Sequence, residues 1–312
     1  MVRFIMEKGE VATLKKMLIT GGTVFVSQYA AQYYANKYDV YVLNRNTRPQ
    51  CSDVTLIQAD RHALQNRLKG IHFDVVLDIT AYDAADIQDL LDALESFDDY
   101  ILISSSAVYP QTAAQPFLES TNTGPNSYWG SYGTNKIAAE QALLSRVSRA
   151  YILRPPYLYG PGNNVYREAF VFDCAMQDRV FCLPGDGSMK LQFFHVRDLF
   201  RFTDILLREK PKQTIYNVGN KDAITVKQWV SLCYKVAGKE MRYRSISREE
   251  EQRSYFPFYN YEYCLDVSYQ HEHMPETISM EEGLREAYEW YRLHADGVNR
   301  KPFLEYIDQF LK

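Results

Sequence analysis

The stretch Met17-Leu18-Ile19-Thr20-Gly21-Gly22-Thr23 places a short apolar run directly before a pair of glycines. Such a run is typical of a buried strand that ends in a tight turn. Apolar residues then recur at helical spacing over 25–37, which predicts a helix. A strand, a glycine turn and a helix in this order form the unit that holds a dinucleotide diphosphate at a helix N-terminus, although similar turns occur in α/β proteins that bind no dinucleotide.

The rest of the chain continues the alternation of apolar strands and helical segments. Further strands are predicted over 40–43, 56–57, 74–79, 100–104 and 151–154, and helices over 86–97 and 132–145. This order predicts an α/β fold with a doubly wound parallel Rossmann sheet and a smaller C-terminal substrate-binding lobe. We assign 16–162 and 188–224 to the dinucleotide-binding domain and 163–187 and 225–312 to the lobe, and we expect a disordered leader over 1–15.

The composition indicates a globular protein without a basic face. Of 312 residues, 46% are hydrophobic and 24% are charged, and the formal net charge is -4. This balance argues against nucleic acid as a partner. The five cysteines are scattered and form no Cys-x-x-Cys, which favours reduced thiols in a cytoplasmic protein over a disulfide framework or a zinc site. No apolar run reaches membrane-spanning length, so we expect no membrane partner.

The glycine turn departs from the dinucleotide fingerprint of three glycines. Gly21 keeps the first position, while Val24 and Ser27 occupy the second and third. The β-branched side chain of Val24 crowds the backbone where a phosphate would approach, whereas Ser27 is small enough to let helix and strand pack closely. The cofactor-binding candidates at this turn are Gly21, Thr23, Val24, Phe25 and Val26.

Basic residues follow the second predicted strand, where NAD-binding proteins usually carry an acid for the ribose hydroxyls. Asn44, Arg45 and Arg48 stand there instead, and an arginine in this region accommodates a 2′-phosphate. The pattern favours NADP over NAD, with a solvated strand-end charge as the alternative for Arg45. Asp60 ends the next strand and either meets the adenine amino group or caps the following turn.

Tyr132 and Lys136 are four residues apart in the helix predicted over 132–145, so they share one face. A tyrosine with its ordinary pKa of about 10 is a poor base at neutral pH, and a nearby ammonium favours the phenolate. Moving the tyrosine pKa towards 7 needs roughly 4 kcal/mol of differential stabilisation. Lys136 and a bound cationic cofactor can supply it together. The same spacing arises by chance in many helices, so its weight comes from the residues around it.

Hydroxyl groups follow the strand predicted over 100–104, in the run Ser104-Ser105-Ser106-Ala107-Val108-Tyr109. Ligands bind at the carboxyl ends of strands in open parallel sheets. With the resulting serine, tyrosine and lysine set, the chain from Lys16 to Arg292 resembles the short-chain dehydrogenase/reductase superfamily, in its extended branch of NAD-dependent epimerases and dehydratases. Further matching segments, in the same order as in the family, are Ile19-Thr20-Gly21-Gly22-Thr23, Pro116-Phe117-Leu118-Glu119, Arg154-Pro155-Pro156-Tyr157-Leu158-Tyr159-Gly160-Pro161-Gly162, Gly185-Asp186-Gly187, Phe194-His195-Val196-Arg197-Asp198-Leu199, Tyr216-Asn217-Val218-Gly219 and Glu282-Gly283-Leu284.

The resemblance implies roles for three catalytic residues. Tyr132 would be the acid/base that moves a hydroxyl proton while a hydride passes to or from the nicotinamide. Lys136 would hydrogen-bond the nicotinamide ribose and hold the tyrosine pKa down, and Ser105 would hydrogen-bond the substrate oxygen. Residues implied to line the cofactor, besides those at the glycine turn, are Asn44, Arg45, Asp60, Thr80, Ala81, Tyr132, Lys136 and Pro155.

Two departures from the family bear on the substrate. Tyr157 stands where nucleotide-sugar epimerases tend to carry an asparagine, and Leu191 stands about where they carry an arginine for the substrate phosphate. Lys190 can replace that arginine only as a point charge. The predicted substrate-binding residues are Ser105, Ser106, Tyr157, Asn163 and Lys190, with stabilisation of its own turn as the alternative for Asn163.

The combined prediction is a nicotinamide-dependent epimerase, dehydratase or reductase acting on a hydroxyl or ketone of a sugar-like or nucleotide-sugar substrate. A homodimer could form through the helices predicted over 86–97 and 132–145, although both could equally pack inside one subunit. The alternative is a catalytically weak or inactive protein of the same fold that senses a cofactor or binds RNA or protein, and Val24 and Ser27 favour it. The strings Gly21-Gly22-Thr23-Val24-Phe25, Leu43-Asn44-Arg45 and Gln192-Phe193-Phe194-His195-Val196-Arg197-Asp198 resemble an atypical subgroup that includes the chloroplast stem-loop RNA-binding proteins, but the acidic net charge argues against RNA. We predict no metal, since His271-Glu272-His273 lies in a predicted loop.

Overall fold

The computed structural model describes residues 4–7, 10–247 and 249–311. The chain divides into two compact units. Unit 1 takes Met1–Ala113, Glu119–Pro155 and Phe200–Val218, and unit 2 takes Ala114–Leu118, Pro156–Leu199 and Gly219–Lys312. Within the described ranges, every helix is too short or too polar to cross a membrane.

The secondary structure begins with strands and then alternates. In chain order, the strands are β1 Phe4–Glu7, β2 Glu10–Thr13, β3 Lys16–Thr20, β4 Asp39–Asn44, β5 Thr55–Gln58, β6 His72–Asp78, β7 Ser96–Ile103, β8 Ala150–Arg154, β9 Tyr157–Tyr159, β10 Phe181–Pro184, β11 Lys190–Leu191, β12 Phe193–His195, β13 Ile215–Asn217, β14 Ile224–Thr225 and β15 Tyr243–Ile246. The helices are α1 Phe25–Tyr34, α2 Ala84–Ala93, α3 Ser131–Arg146, α4 Glu168–Met176, α5 Val196–Glu209, α6 Val226–Val236, α7 Gln252–Tyr255, α8 Ser268–His273, α9 Met280–His294 and α10 Phe303–Phe310. Short 3-10 turns cover Arg61–Ala63, Ser106–Val108 and Ala295–Gly297.

A parallel sheet forms the centre of unit 1. Its described strands run in the order β13-β8-β7-β6-β3-β4-β5, and every neighbouring pair is parallel. Within this sheet, β3 is the first strand in the chain and lies near the centre. The chain adds β4 and β5 on one side of β3 and then β6, β7, β8 and β13 on the other, so the strand order reverses between β3 and β6. Ligands of open α/β sheets bind at the carboxyl ends of the strands beside such a reversal. The doubly wound fold predicted from the sequence is therefore confirmed.

The central strands are apolar on both sides, as expected when helices cover both faces of a parallel sheet. On one face, residues such as Leu18 and Leu102 share a buried cluster with Leu90 of α2 and Leu143 of α3. On α1 and α5, Tyr34 and Phe200 meet edge to face, with ring centroids 5.9 Å apart. On the two helices predicted for a dimer face, Leu90 and Leu91 are buried within the subunit, whereas Leu144 is 45% exposed.

Unit 2 is built from α4, α6 to α10 and three two-stranded sheets. β9 pairs with β12 and β10 with β15, both parallel, and β11 pairs with β14 antiparallel. In its core the indole of Trp229 stacks on Phe193, with ring centroids 5.6 Å apart. Because β9 and β12 pair with each other and not with the main sheet, 156–162 and 188–199 belong to unit 2. The domain boundaries drawn from the sequence placed both segments in the dinucleotide-binding domain.

Two other segments differ from the sequence prediction. Within the predicted leader 1–15, β1 and β2 pair antiparallel, from Phe4 opposite Thr13 to Glu7 opposite Glu10, while residues 1–3 and 8–9 lie outside the described residues. The helix predicted over 86–97 ends at Ala93, because Leu94 takes an extended conformation and Ser96 already pairs with His72 of β6. The fifth predicted strand is correspondingly longer at its start.

Candidate active site

The glycine turn after β3 is closed by side chains on two sides. Gly21 has φ +92° and Gly22 has φ +101°, a region that favours glycine. A Cβ on Gly21 would lie 2.8 Å from Ser27 Oγ and 2.9 Å from Thr80 Cγ2. The Ser27 hydroxyl donates to Val24 O at 3.0 Å. Ser27, which replaces the third glycine of the fingerprint, therefore fills the space beside Gly21 and ties the turn to the first residues of α1.

We expect Gly21→Ala to destabilise the protein by about 2–3 kcal/mol and to weaken dinucleotide binding, because the new methyl group meets Ser27 and Thr80 and the backbone is held at positive φ. Gly70→Ala is the matched control, since Gly70 also has positive φ (+73°) but open space around its Cβ position. Urea unfolding of both variants separates the collision from the backbone strain. Equal losses in the two variants would contradict the close packing of Ser27 and Thr80 around Gly21.

A cavity of about 480 Å³ lies at the carboxyl ends of β3 and β4. It brings together seven of the predicted cofactor residues: Gly21, Thr23, Val24, Asn44, Arg45, Asp60 and Thr80. Arg48, Arg61 and His62 add to its lining, so the cavity is rich in cationic side chains. Asp60 accepts a hydrogen bond from His62 N at 2.9 Å through Oδ1, so it caps the following turn while it lines the cavity. A basic cavity beside a glycine turn suits a phosphate-bearing ligand.

The loop that carries Arg45 and Arg48 is held by amide side chains. Asn44 Nδ2 donates to Gly21 O at 2.7 Å and to Gln50 Oε1 at 2.9 Å. Gln50 Nε2 in turn donates to Arg48 O at 2.9 Å and to Asn46 Oδ1 at 3.2 Å. The side chain of Asn44 is thus used within the protein, while the exposed residues Arg45 and Arg48 line the cavity.

A buried carboxylate that the sequence analysis did not single out anchors this edge of the sheet. Asp78, at the end of β6, accepts hydrogen bonds from Thr20 Oγ1 at 2.7 Å and Tyr100 OH at 2.6 Å, and it pairs with Arg61 at 2.5 Å. Burial alone would raise the pKa of Asp78, but the Arg61 guanidinium and these hydrogen bonds hold it below its ordinary value. Its one sequence signal was a polar residue closing an apolar strand.

Lys136 is 3% exposed and points inward from α3. Its Nζ donates to Ala81 O at 2.6 Å and to Ile103 O at 3.1 Å, at the ends of β6 and β7. Burial lowers the pKa of Lys136 to about 8, while the carboxylates of Asp78 and Glu140 act in the opposite direction. The group therefore remains mostly an ammonium at neutral pH, which is the form that stabilises a phenolate.

Tyr132, one helical turn earlier, is 40% exposed. Its position depends on Gly133, because a Cβ there would lie 2.5 Å from Ala107 O. The start of α3 therefore packs directly against the turn Ser106–Val108. Tyr132, Lys136 and the serine run thus all lie within unit 1, around the carboxyl end of β7.

The three serines after β7 have different environments. Ser105 is half-buried, and its Oγ accepts a hydrogen bond from Ala107 N at 3.1 Å, which leaves its hydroxyl proton for another acceptor. Ser104 is buried and its hydroxyl donates to Glu140 Oε1 at 2.5 Å. Ser106 is buried, and its backbone N–H donates to Pro155 O at 3.0 Å. Ser105 therefore best fits the role of substrate hydrogen-bond donor among the three.

An ion pair beneath the serines joins α3 to β8. Arg154 donates to both oxygens of Glu140, with Nη2–Oε2 2.5 Å and Nε–Oε1 3.0 Å, and both side chains are 4% exposed. Arg154 Nη1 also donates to Tyr109 OH at 2.9 Å, and Tyr109 OH donates to Asn217 Oδ1 at 2.7 Å. Burial alone would lower the pKa of Arg154, but its bonds to Glu140 hold it above the ordinary value. This network fixes the segments that carry Ser105, Lys136 and Pro155.

The other substrate candidates lie in unit 2. Tyr157 is 7% exposed and packs edge to face on Phe258, with centroids 4.6 Å apart. Asn163 is 3% exposed; its Oδ1 accepts from Val165 N at 3.0 Å and its Nδ2 donates to Glu168 at 2.9 Å, so it takes the turn-stabilising role. Lys190 is exposed and lines a separate cavity of about 980 Å³ together with Gln192 and other residues of unit 2.

A parallel sheet with a glycine turn and a basic cavity at its strand ends defines a Rossmann-like α/β protein. The model of the NAD dependent epimerase/dehydratase family matches residues 17–219. The chain belongs to this family, which confirms the resemblance drawn from its motifs and makes it an enzyme of the epimerase, dehydratase and reductase type.

Individual relatives are distant and chemically diverse. A chloroplast stem-loop binding protein of Arabidopsis thaliana is 26% identical over 81% of this chain and 72% of that protein. A dTDP-4-dehydro-6-deoxy-D-allose reductase of a Streptomyces species is 26% identical over 90% of this chain and 97% of that protein. Among solved structures, a UDP-glucuronic acid 4-epimerase from Bacillus cereus, in complex with UDP-glucuronic acid and NAD, is 20% identical with a TM-score of 0.68 over 89% of this chain and 99% of that chain. This last likeness shows a shared fold.

Proposed function

We propose that the protein transfers a hydride between a nicotinamide dinucleotide and a hydroxyl or ketone of a sugar-like substrate, with Tyr132 as the acid/base. The observation that carries the proposal is the arrangement of Tyr132 on the exposed side of α3, one turn from a buried ammonium that two backbone carbonyls hold in place. Ser105 follows the end of β7, and because its Oγ accepts from Ala107 N, its hydroxyl proton remains to be donated. This set suits proton transfer to and from a substrate oxygen.

The residues around the glycine turn fit a dinucleotide. The turn has no side chain at Gly21 and Gly22, and the cavity next to it is lined by three arginines, Arg45, Arg48 and Arg61, together with Asp60. A bound nicotinamide would accept or supply the hydride. The backbone of 21–26 would face the diphosphate and Lys136 the nicotinamide ribose. Val24 narrows the cavity beside the glycine turn, since it is one of the lining residues.

We further propose that NADP binds more tightly than NAD, because Arg45 and Arg48 line the cavity and Asn44 replaces the usual acid. Calorimetric titration with both dinucleotides tests the cofactor and the preference. Arg45→Ala should weaken the binding of NADP by about tenfold or more and leave the binding of NAD nearly unchanged, because a charge-assisted hydrogen bond to the 2′-phosphate is lost. Arg67→Ala, an exposed arginine outside the cavity, is the control. Equal weakening of both dinucleotides would refute the NADP preference.

Within this function, we propose a nucleotide-sugar as the substrate class. Support comes from the family and from relatives that carry sugar-nucleotide names. Tyr157 is buried against Phe258, so we expect sugar recognition to differ from that implied by an asparagine at this position. Incubation of the protein and its preferred dinucleotide with a panel of UDP-, dTDP- and GDP-sugars, followed by mass spectrometry and NMR, tests the class. A panel that yields no turnover would overturn it.

A second candidate function is a binding protein without turnover. It is favoured by the replacement of two fingerprint glycines by Val24 and Ser27 and by the likeness to a stem-loop binding protein. Failure to bind NADP or NAD at millimolar concentration, together with salt-sensitive binding of an RNA stem-loop, would select this function over the first. Micromolar dinucleotide binding would select the first.

A further inference from the structure

Tyr82 lies between the basic cavity and the catalytic pair. It is 58% exposed, and it lines the same cavity as Gly21 and Val24. Its ring meets the ring of Tyr132 edge to face, with centroids 6.2 Å apart and an interplanar angle of 61°. Lys136 Nζ lies 5.4 Å from the centroid of the same ring. One aromatic side chain therefore contacts both groups that the proposed proton transfer requires.

The exposure of this ring does not come from a loose loop. Tyr82 N donates to Asp86 Oδ2 at 2.7 Å, and Asp86 belongs to the capping box that starts α2. On the other side, Ala81 O accepts from Lys136 and Thr80 N donates to Thr20 Oγ1 at 3.0 Å. The backbone of 80–83 is thus fixed from both ends. An aromatic ring presented on fixed backbone at the edge of a polar cavity is a typical ligand-contacting element.

The position of the ring also explains how the Lys136 ammonium, in the second turn of α3, stays shielded from water. The ammonium has its two hydrogen-bond acceptors on the inner side, at Ala81 O and Ile103 O. The ring of Tyr82 is the aromatic surface beside it, and its electron-rich face attracts a cation. Loss of the ring would open Lys136 to water and would remove the contact against which the Tyr132 ring rests.

We propose that Tyr82 is a positioning residue of the catalytic centre: it covers the Lys136 ammonium, fixes the ring of Tyr132 and presents its free surface to the cofactor ribose next to Lys136. The last of these contacts rests on the proposed function, whereas the first two concern the protein alone. Because the ring and not the hydroxyl group makes the observed contacts, phenylalanine should replace Tyr82 and alanine should not.

The test compares Tyr82→Phe, Tyr82→Ala and Tyr269→Ala, the last a control at a tyrosine that is 44% exposed in unit 2. Native-state acylation of lysines, read by mass spectrometry without cofactor, reports the cover of Lys136. Tyr82→Ala should speed labelling of Lys136 by about two- to fivefold, the factor that a contact of cation–π strength corresponds to. The other two variants should label like the wild type. Unchanged labelling in Tyr82→Ala would overturn the covering role.

Dinucleotide titration of the same variants tests the ribose contact separately. Tyr82→Ala should weaken the binding of the preferred dinucleotide by about two- to fivefold, whereas Tyr82→Phe and Tyr269→Ala should bind it like the wild type. Weakening by Tyr82→Phe as large as by Tyr82→Ala would assign the role to the hydroxyl group and refute the positioning by the ring. If the wild type binds no dinucleotide but Tyr82→Ala exposes Lys136, the proposed function fails and the cover stands. If the wild type binds dinucleotide but labelling of Lys136 does not change in Tyr82→Ala, the proposed function stands and the covering role of Tyr82 fails.

Discussion

Replacement of Tyr132 by phenylalanine should lower kcat by about 10²- to 10⁴-fold, the contribution of a positioned acid/base. The ring and its contact with Tyr82 are kept, so dinucleotide affinity and folding stability should not change. The reason is that phenylalanine cannot exchange a proton with the substrate oxygen, while Lys136 keeps its bonds to Ala81 O and Ile103 O. The measurement is steady-state turnover of the substrate found in the nucleotide-sugar panel.

Two further variants make this result specific. Tyr269→Phe removes a hydroxyl group from another exposed tyrosine and should leave kcat unchanged. Lys136→Met removes the buried ammonium and should lower kcat and also move the pH dependence of kcat to higher pH, because the phenolate loses its nearby positive charge. A Tyr132→Phe variant that retains wild-type kcat would exclude Tyr132 as the acid/base.

Glu140→Ala should destabilise unit 1 by about 3–5 kcal/mol, a large share of the stability of an ordinary domain. It leaves the Arg154 guanidinium buried without its carboxylate and removes the acceptor of the Ser104 hydroxyl. Such an unpaired buried charge is far more costly than the net value of the pair. Urea unfolding, followed by circular dichroism, measures the loss as a lower midpoint at constant slope.

The double variant Glu140→Met with Arg154→Met is the informative control. It removes both charges and fills the space with apolar side chains, so it should recover most of the stability lost by Glu140→Ala. Glu240→Ala, at an exposed glutamate, should shift the midpoint little. If the double variant is as unstable as Glu140→Ala, then the specific hydrogen bonds to Tyr109 and Ser104, and not the unpaired charge, maintain this region.

The fold was predictable because most strands of unit 1 are apolar runs that end in polar or glycine residues. The runs at 17–20, 74–79 and 151–154 each correspond to a strand of the sheet, with small differences at the ends. β13 escaped prediction, since three residues at a sheet edge carry no periodicity. The hydrophobic pattern could not predict the domain boundaries either, because they depend on pairings between residues that are distant in sequence. Examples are the pairing of β9 with β12 and the bridge from Phe117 to Leu265.

For the site, sequence spacing identified groups that share a helix or a turn. Tyr132 and Lys136 lie on α3, and the glycine turn lies where the strand ends. Partners in distant segments left no such trace: Asp78 joins Thr20, Arg61 and Tyr100, and Tyr82 joins Tyr132 and Lys136. Asn44 and Asp60 show a further limit, because spacing does not reveal the hydrogen bonds that these two cavity-lining side chains make within the protein itself.

The bond from Asn44 Nδ2 to Gly21 O also restricts how this protein can evolve or be engineered. NAD-dependent enzymes of this fold usually carry an acidic residue such as aspartate at the strand end that corresponds to the end of β4 here. Here an aspartate at position 44 would set a carboxylate oxygen against the Gly21 carbonyl oxygen, so two acceptors would face each other. Under the proposed NADP preference, a change to NAD by this route would therefore require compensating substitutions in the glycine turn, so selection on coenzyme preference would be linked to selection on the sequence of the turn.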